Sequence, residues 1–202
     1  MGVEADRPDL TLRERKRLAT MHRVQTVALE LFDAEGFDAV TVERIAQVAE
    51  VSPSSIYRHF GTKEHLVIWD EYDPEALAAL QAELAEASPL DALRAVTTVA
   101  VQEVFTRDRE RVERRLRLAY AHPAIEAASA LQAYEMAGLI AHVLAGALGR
   151  PADDLDVQVF AHGYVGGLLG ALRHWHDSGF VTPLSEVLER PMSLLERGAD
   201  LH

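Results

Sequence analysis

The 202-residue chain predicts an all-α fold, with a short N-terminal three-helix unit containing a helix-turn-helix followed by a larger helical body. Three observations carry that prediction. Apolar residues recur three and four positions apart along almost the whole sequence, the spacing that gives a helix one buried face. No segment alternates in the manner of a strand, and no phosphate-cradling glycine loop or internal repeat is present. Prolines, glycines and hydroxyl residues fall at the ends of the periodic segments, where helices start and stop.

The first helix is readable from Arg13 to Ala34, with Val24, Val27, Ala28, Leu31 and Phe32 on its inner face and Gly36 as its stop. Thr41 is placed as the N-cap of a second helix, with Val42, Ile45, Ala46 and Ala49 inward and Glu43 and Arg44 outward. Ser52 followed by Pro53 repeats the start signal, since proline loses nothing at the first helical position. Ile56 and Phe60 then face back onto Ile45 and Ala49, with Val51 filling the turn. Thr62 is expected to cap a further helix running to about Tyr72.

The body reads as more helices. Pro74 to Glu86 forms one, Ser88 and Pro89 begin another to about Phe105, and an arginine-rich helix spans Asp108 to Tyr120 before Pro123. Ala124 to Leu148 is apolar on nearly every side, which predicts a central helix, ended by Gly149 and Pro151. Asp153 to Ser178 follows. In the last segment, Pro183 to Glu196, Pro191 should bend or break the helix.

Composition narrows the function. The absence of cysteine excludes disulfide frameworks, thiolate metal sites and cysteine redox sensing, and the cytoplasm is the expected location. The N-terminus mixes Arg7, Arg13, Arg15, Lys16 and Arg17 with Glu4, Asp6, Asp9 and Glu14, so no signal peptide is expected. No stretch free of Asp, Glu, Lys and Arg, Met136 to Gly149 included, reaches the roughly 20 residues of a span, and no membrane partner is expected. The net charge of −12 divides unevenly: residues 1–66 carry 9 Lys and Arg against 11 Asp and Glu, while the rest carry 11 against 21. Acidity lies mostly in the body. Arg13, Arg15, Lys16, Arg17, Arg23, Arg44, Arg58 and Lys63 remain to meet phosphates, or to form a merely solvated terminus.

The second helix of the helix-turn-helix exposes Ser54, Ser55, Tyr57, Arg58 and His59, all able to hydrogen-bond. Such a helix presents its N-terminal residues to base edges and its flanks to phosphates. Arg44, Ser52 and Pro53 border it, and Lys63 stands beside the next expected helix N-terminus, a natural phosphate seat. A structural hairpin that binds nothing is the alternative.

The run Ala28 to Leu66, ALELFDAEGFDAVTVERIAQVAEVSPSSIYRHFGTKEHL, resembles the N-terminal domain of the tetracycline-repressor (TetR) family. Phe32, Gly36, Thr41, Val42, Ile45, Ala46, Ala49, Val51, Ser52, Tyr57, Phe60, Lys63 and Leu66 carry the resemblance. It implies a homodimeric, all-helical transcription regulator, usually a repressor, whose variable C-terminal domain binds a small molecule that lowers DNA affinity. By the same resemblance Thr41, Tyr57, His59 and Lys63 contact phosphates, Pro53, Ser54 and Ser55 lie nearest the bases, and the chain divides into 1–66 for DNA binding and 67–202 for effector binding and dimerisation. One position departs. Glu50 stands where the family commonly has glycine, so a positive φ there would be strained, and its charge would lie near DNA.

In the Asp153 to Ser178 helix, Gly163, Gly166, Gly167 and Gly170 share a stripe, and each costs about 1 kcal/mol relative to alanine. Close packing of another helix, or space for a ligand, would use the bare backbone. The resemblance places the dimer interface on the last two long helices, with Gly163, Gly167, Gly170 and His174 as candidates. The arginine-rich helix holds Arg107, Arg109, Arg111, Arg114, Arg115 and Arg117. Glu110 with Arg114 and Glu113 with Arg117 fit a self-paired solvated face, and a cationic rim for an anionic effector such as an acyl thioester or carboxylate is the alternative.

His122, His142, His162, His174 and His176 show no zinc-ligand spacing, and no nucleophile has an adjacent base, so neither metal, cofactor nor enzymatic activity is expected. Trp69, Phe105, Tyr120, Tyr134, Phe160 and Tyr164 are the candidate pocket residues for a small apolar or aromatic effector. Two function classes remain. One is a regulator with double-stranded DNA, a small effector and a second copy as partners, released from a palindromic operator by an apolar or amphipathic molecule that tilts the helix beginning at Thr62. The other is a helical enzyme or binding module using its helix-turn-helix only for packing.

Overall fold

The structure, a computed structural model, describes residues 11–69 and 73–198, and of residues 73–75 and 103–107 the backbone alone. The described residues form α1 (Leu12–Glu35), α2 (Val42–Val48), α3 (Pro53–Phe60), α4 (His65–Ile68), α5 (Asp73–Glu83), α6 (Pro89–Ala121), α7 (Pro123–Leu148), α8 (Leu155–Asp177) and α9 (Leu184–Glu196), and no strand. Glu4, Asp6, Arg7, Asp9 and Tyr72 lie outside the described residues.

Local chemistry sets the ends of the first three helices. At α1 the Thr11 hydroxyl accepts from the Glu14 N–H at 3.3 Å while the Glu14 carboxylate accepts from the Thr11 N–H at 2.8 Å, a capping box. The Thr11 hydroxyl, 2.6 Å from that carboxylate, and then the Thr11 N–H hold the Glu14 carboxyl below its ordinary pKa. Thr41 and Ser52 cap α2 and α3 as predicted, accepting from the N–H groups of Arg44 at 3.1 Å and Ser55 at 3.2 Å. Between them Glu50 takes φ 54°, with Val51 N–H donating to Ala46 and Glu50 N–H to Gln47. This is the Schellman ending that glycine usually serves.

Ile45, Ala49, Ile56 and Phe60 are buried in one core with Leu29 and Phe32 of α1. That core crosses position 66, since Leu66, Val67 and Ile68 of α4 and Leu118, Ala119 and Ile125 of the body belong to it. A second core joins α5 and the first half of α6 to α7, α8 and Met192, and a third gathers Trp175, Phe180, Leu184, Val187 and Leu188. α6 runs through the point where the sequence predicted two helices, but Asp108 leaves helical geometry at φ −141° and ψ 27° and kinks it.

Three expectations are corrected. The helix expected from Thr62 begins at His65, and Thr62 does not cap it. Gly61 leaves α3 at φ 76°, the Thr62 N–H turns back to Phe60, and its hydroxyl meets the ring Nδ1 of His65 at 2.8 Å. α7 is not central: Ile140, Ala141 and Leu144 are buried, but Leu131, Tyr134 and Leu139 are 59%, 67% and 51% exposed. Its length and composition would suffice to cross a membrane, yet its inner face packs along α8 and the second core. Finally, Pro191 does not break α9, which continues through it. A Cβ on Gly167 would lie 3.0 Å from the Cβ of Pro191, so the bare backbone of α8 accommodates the ring while Met192 anchors α9 in the core.

Candidate DNA-reading surface and body cavity

The sequence-predicted DNA residues gather around α3. Thr41, Arg44, Ser52, Ser54, Tyr57 and Arg58 are exposed, and Pro53, Ser55, His59 and Lys63 are half-buried. Several are already engaged. Thr41 and Ser52 hold helix caps, the Ser52 and Ser54 hydroxyls are 3.0 Å apart, and Arg58 donates to the Ser55 hydroxyl at 2.9 Å. Arg44 lies 3.7 Å from the Glu35 carboxylate, an exposed pair of little energetic weight. Tyr57, 49% exposed on the outer side of α3, projects its phenol from the surface.

Burial, then the charges of Arg58 and Arg17, lower the His59 pKa. Lys63 is directed differently from the expectation. Its ammonium donates to the backbone carbonyl of Phe37 and sits 4.3 Å from the Phe37 ring centroid, tying down the loop between α1 and α2. Burial lowers its pKa, an effect that Asp38 and Glu64 oppose.

The body holds a partly open cavity of about 720 Å³ lined by residues from α4 to α9. Of the six aromatic candidates, Tyr120 and Tyr164 line it. Trp69 instead fills the joint between the small unit and the body, edge-on to Phe60 and His22 at 5.7 and 5.6 Å. Tyr134 lies on the outer side of α7 against His162, and Phe160 borders a smaller cavity of about 400 Å³ with Leu144 and Leu148. The side chains of Phe105 and Arg107 lie outside the described residues. Among the interface candidates, Gly163, Gly170 and His174 are exposed on α8, and no atom lies within 4 Å of a Cβ built on either glycine. Gly167 faces Pro191 of its own chain.

Of the described arginines between residues 107 and 117, Arg115 lines the cavity. Both predicted pairs form, Glu110 with Arg114 at 3.5 Å and Glu113 with Arg117 at 2.8 Å, and Arg117 also stacks over Phe180. Three of these arginines reach α1 or α4, a feature the sequence reading missed. Arg111 meets the His22 ring at 3.0 Å and Arg114 the Asp33 carboxylate at 2.9 Å, both on α1. Arg115 donates to the carbonyls of Val67 and Ile68 at 2.6 and 2.7 Å, satisfying acceptors that the end of α4 leaves open. Arg115 also lines the cavity, as do Val112, Leu116 and Tyr120 of the same segment. The half of α6 beyond Asp108 is therefore both a cavity wall and the grip on α1 and α4.

A capped helix-turn-helix with an exposed second helix, joined to a helical body around an apolar cavity, defines a DNA-binding regulator with an internal small-molecule site. The chain belongs to the TetR family of bacterial transcriptional regulators: the family model described as "Bacterial regulatory proteins, tetR family" matches residues 26–68, and that of the MftR C-terminal domain matches residues 87–200. It is 33% identical over 150 residues to the HTH-type transcriptional regulator TcmR of Streptomyces glaucescens, spanning 71% of this chain and 66% of that protein. It is 29% identical over 189 residues to a Mycobacterium tuberculosis protein named for regulation of mycofactocin biosynthesis, MftR, spanning 92% and 94%. The fold is shared with Thermus thermophilus FadR, a TetR-family repressor solved with lauroyl-CoA, at 22% identity, TM-score 0.55, and coverage of 90% of this chain and 96% of that one.

Proposed function

We propose that the protein is a homodimeric cytoplasmic repressor, without enzymatic activity, that leaves a palindromic operator when a small apolar or amphipathic molecule occupies the body cavity. The observation that carries this reading is the double role of the second half of α6, whose residues line the cavity while Arg111, Arg114 and Arg115 hold α1 and α4. A ligand that prefers one position of this segment biases the position of α3, and only such a preference shifts the equilibrium.

Dimerisation through α7 and α8 is supported by their outer faces. Leu131, Tyr134, Leu139, Leu155 and Val159 are exposed there, beside Gly163, Gly166 and Gly170, and an apolar self-complementary face of this kind suits two-fold pairing. Two copies of α3 then read two half-sites. Ser54 and Ser55, with Pro53 before them, lie nearest the bases, while Thr41, Arg44, Ser52, Tyr57, Arg58 and His59 contact or position the backbone. Lys63 joins them by leaving the Phe37 carbonyl for a phosphate.

Selection from random-sequence duplexes tests the reading. A palindromic site should be enriched, and Tyr57→Ala should weaken its binding at least tenfold. No enrichment at any salt concentration would return the chain to a helical module whose helix-turn-helix serves packing alone.

A further inference from the structure

The cavity contains one hydroxyl pair whose geometry departs from its neighbours. A mid-helix threonine commonly turns its hydroxyl back to the carbonyl one turn earlier. Thr20 does so to Lys16 at 2.9 Å, and Thr98 of α6 does so to Arg94 at 2.8 Å. Thr97, next to Thr98, instead points its hydroxyl at the phenol of Tyr164 on α8, and both residues line the cavity. Two hydroxyls bring two protons, and their mutual hydrogen bond uses one of them. The second proton is available to a third atom, and a buried donor without an acceptor carries a desolvation cost. Burial also raises the Tyr164 pKa, so at neutral pH the phenol keeps its proton.

The surroundings of the pair select the acceptor. Leu93 and Val101 stand one turn to either side of Thr97, and Val165 and Leu168 follow Tyr164, all on the cavity wall. The charged groups of that wall lie elsewhere and are engaged. Arg115 holds the α4 carbonyls, and Arg173 holds Glu126 at 3.0 Å and Asp177 at 3.1 Å. Arg173 stands roughly 14 Å along α8 from Tyr164, at 1.5 Å per residue. A full charge placed against Thr97 and Tyr164 would meet no counter-charge there and remain poorly solvated.

The geometry points to an effector that is neutral and largely apolar, with one hydrogen-bond-accepting oxygen, a carbonyl or hydroxyl, seated against Thr97 and Tyr164. This assignment rests on the cavity being the effector site. Thr97 and Tyr164 thereby determine specificity, because a site with a buried donor discriminates against an analogue that lacks the acceptor.

Equilibrium dialysis of the full chain against naphthalene, 2-acetylnaphthalene and 2-naphthoate, which share one ring system, tests it. The ketone should bind about tenfold more tightly than the hydrocarbon, the effect of one well-placed buried hydrogen bond. The carboxylate should bind more weakly than the ketone, and Thr97→Val and Tyr164→Phe should each remove the ketone's advantage. Equal affinity for ketone and hydrocarbon overturns the assignment but leaves the cavity as an apolar binding site. So does tightest binding of the carboxylate with loss on Arg115→Ala. If none of the three binds up to its solubility limit, the cavity reading fails along with the assignment.

Discussion

The reading unit and the body are both helical and rich in apolar residues, but they use those residues differently. In the reading unit, Leu29, Ile45 and Ile56 are at most 2% exposed, and each of the three helices has a side-chain N-cap and a glycine or Schellman ending. Its interior is closed. In the body, Met136, Leu168 and Val96 pack against the core on one side and face the cavity on the other. Atoms at such a void lose dispersion contacts on one side, so the body gives up stability where it makes room. A closed unit has one shape to offer a fixed DNA groove, whereas an incomplete core can be completed by a ligand and so can be altered by one.

Truncation should expose that contrast most strongly. Ile56→Ala should cost about 3 kcal/mol, the loss for a large-to-small change in a filled core, while Met136→Ala on the cavity wall should cost about 1 kcal/mol. Urea unfolding of both variants measures the difference, and equal losses would break the comparison. Ligand occupancy sharpens it from the other side. At a hundred times its dissociation constant, 2-acetylnaphthalene should stabilise the chain by about 2.7 kcal/mol, visible as a rise in Tm. An unchanged Tm at that saturation would mean that the void contributes no binding.

Next in size, Arg115→Ala should destabilise by about 2 kcal/mol, because two carbonyls at the end of α4 lose a charged donor. Amide exchange in α4 should speed up while that in α3 stays slow. Uniform exchange would deny that the arginine acts on the joint. Smallest is Glu50→Gly. Relief of the left-handed conformation at φ 54° is partly offset by the greater freedom of glycine in the unfolded chain, leaving a gain of about 1 kcal/mol or less. Removing the carboxylate should also raise operator affinity at low salt, and a loss of stability would show that Glu50 makes a compensating contact.

The reading unit was legible because its signals are local. Thr41, the Ser52–Pro53 pair and Gly36 each act within one helical turn, and even the left-handed turn at Glu50 follows from its place between two capped helices. The body was legible in its elements but not in their partners. Arg111 and Arg115 reach residues 89 and 48 positions away, and the four-residue pairing rule accounts for Arg114 with Glu110 while passing over Asp33. Gly167 and Pro191 are each unfavourable in a helix when read singly, and their mutual fit appears only when α8 and α9 are packed. The even apolarity of α7 does not distinguish a central helix from one with an open face. Aromaticity likewise marks burial without telling which side of a helix meets the cavity, so Trp69 and Tyr134 looked equivalent to Tyr164.

The claim that joins the two regions is that the cavity and the DNA surface communicate through the second half of α6. Its direct test is operator affinity for the native chain and for Arg115→Ala, each with and without saturating 2-acetylnaphthalene. The account predicts at least a tenfold loss on ligand addition for the native chain, within the range of ordinary coupling energies, and a loss of less than twofold for the variant. An equal ligand effect in both proteins, or none in the native chain, would contradict it.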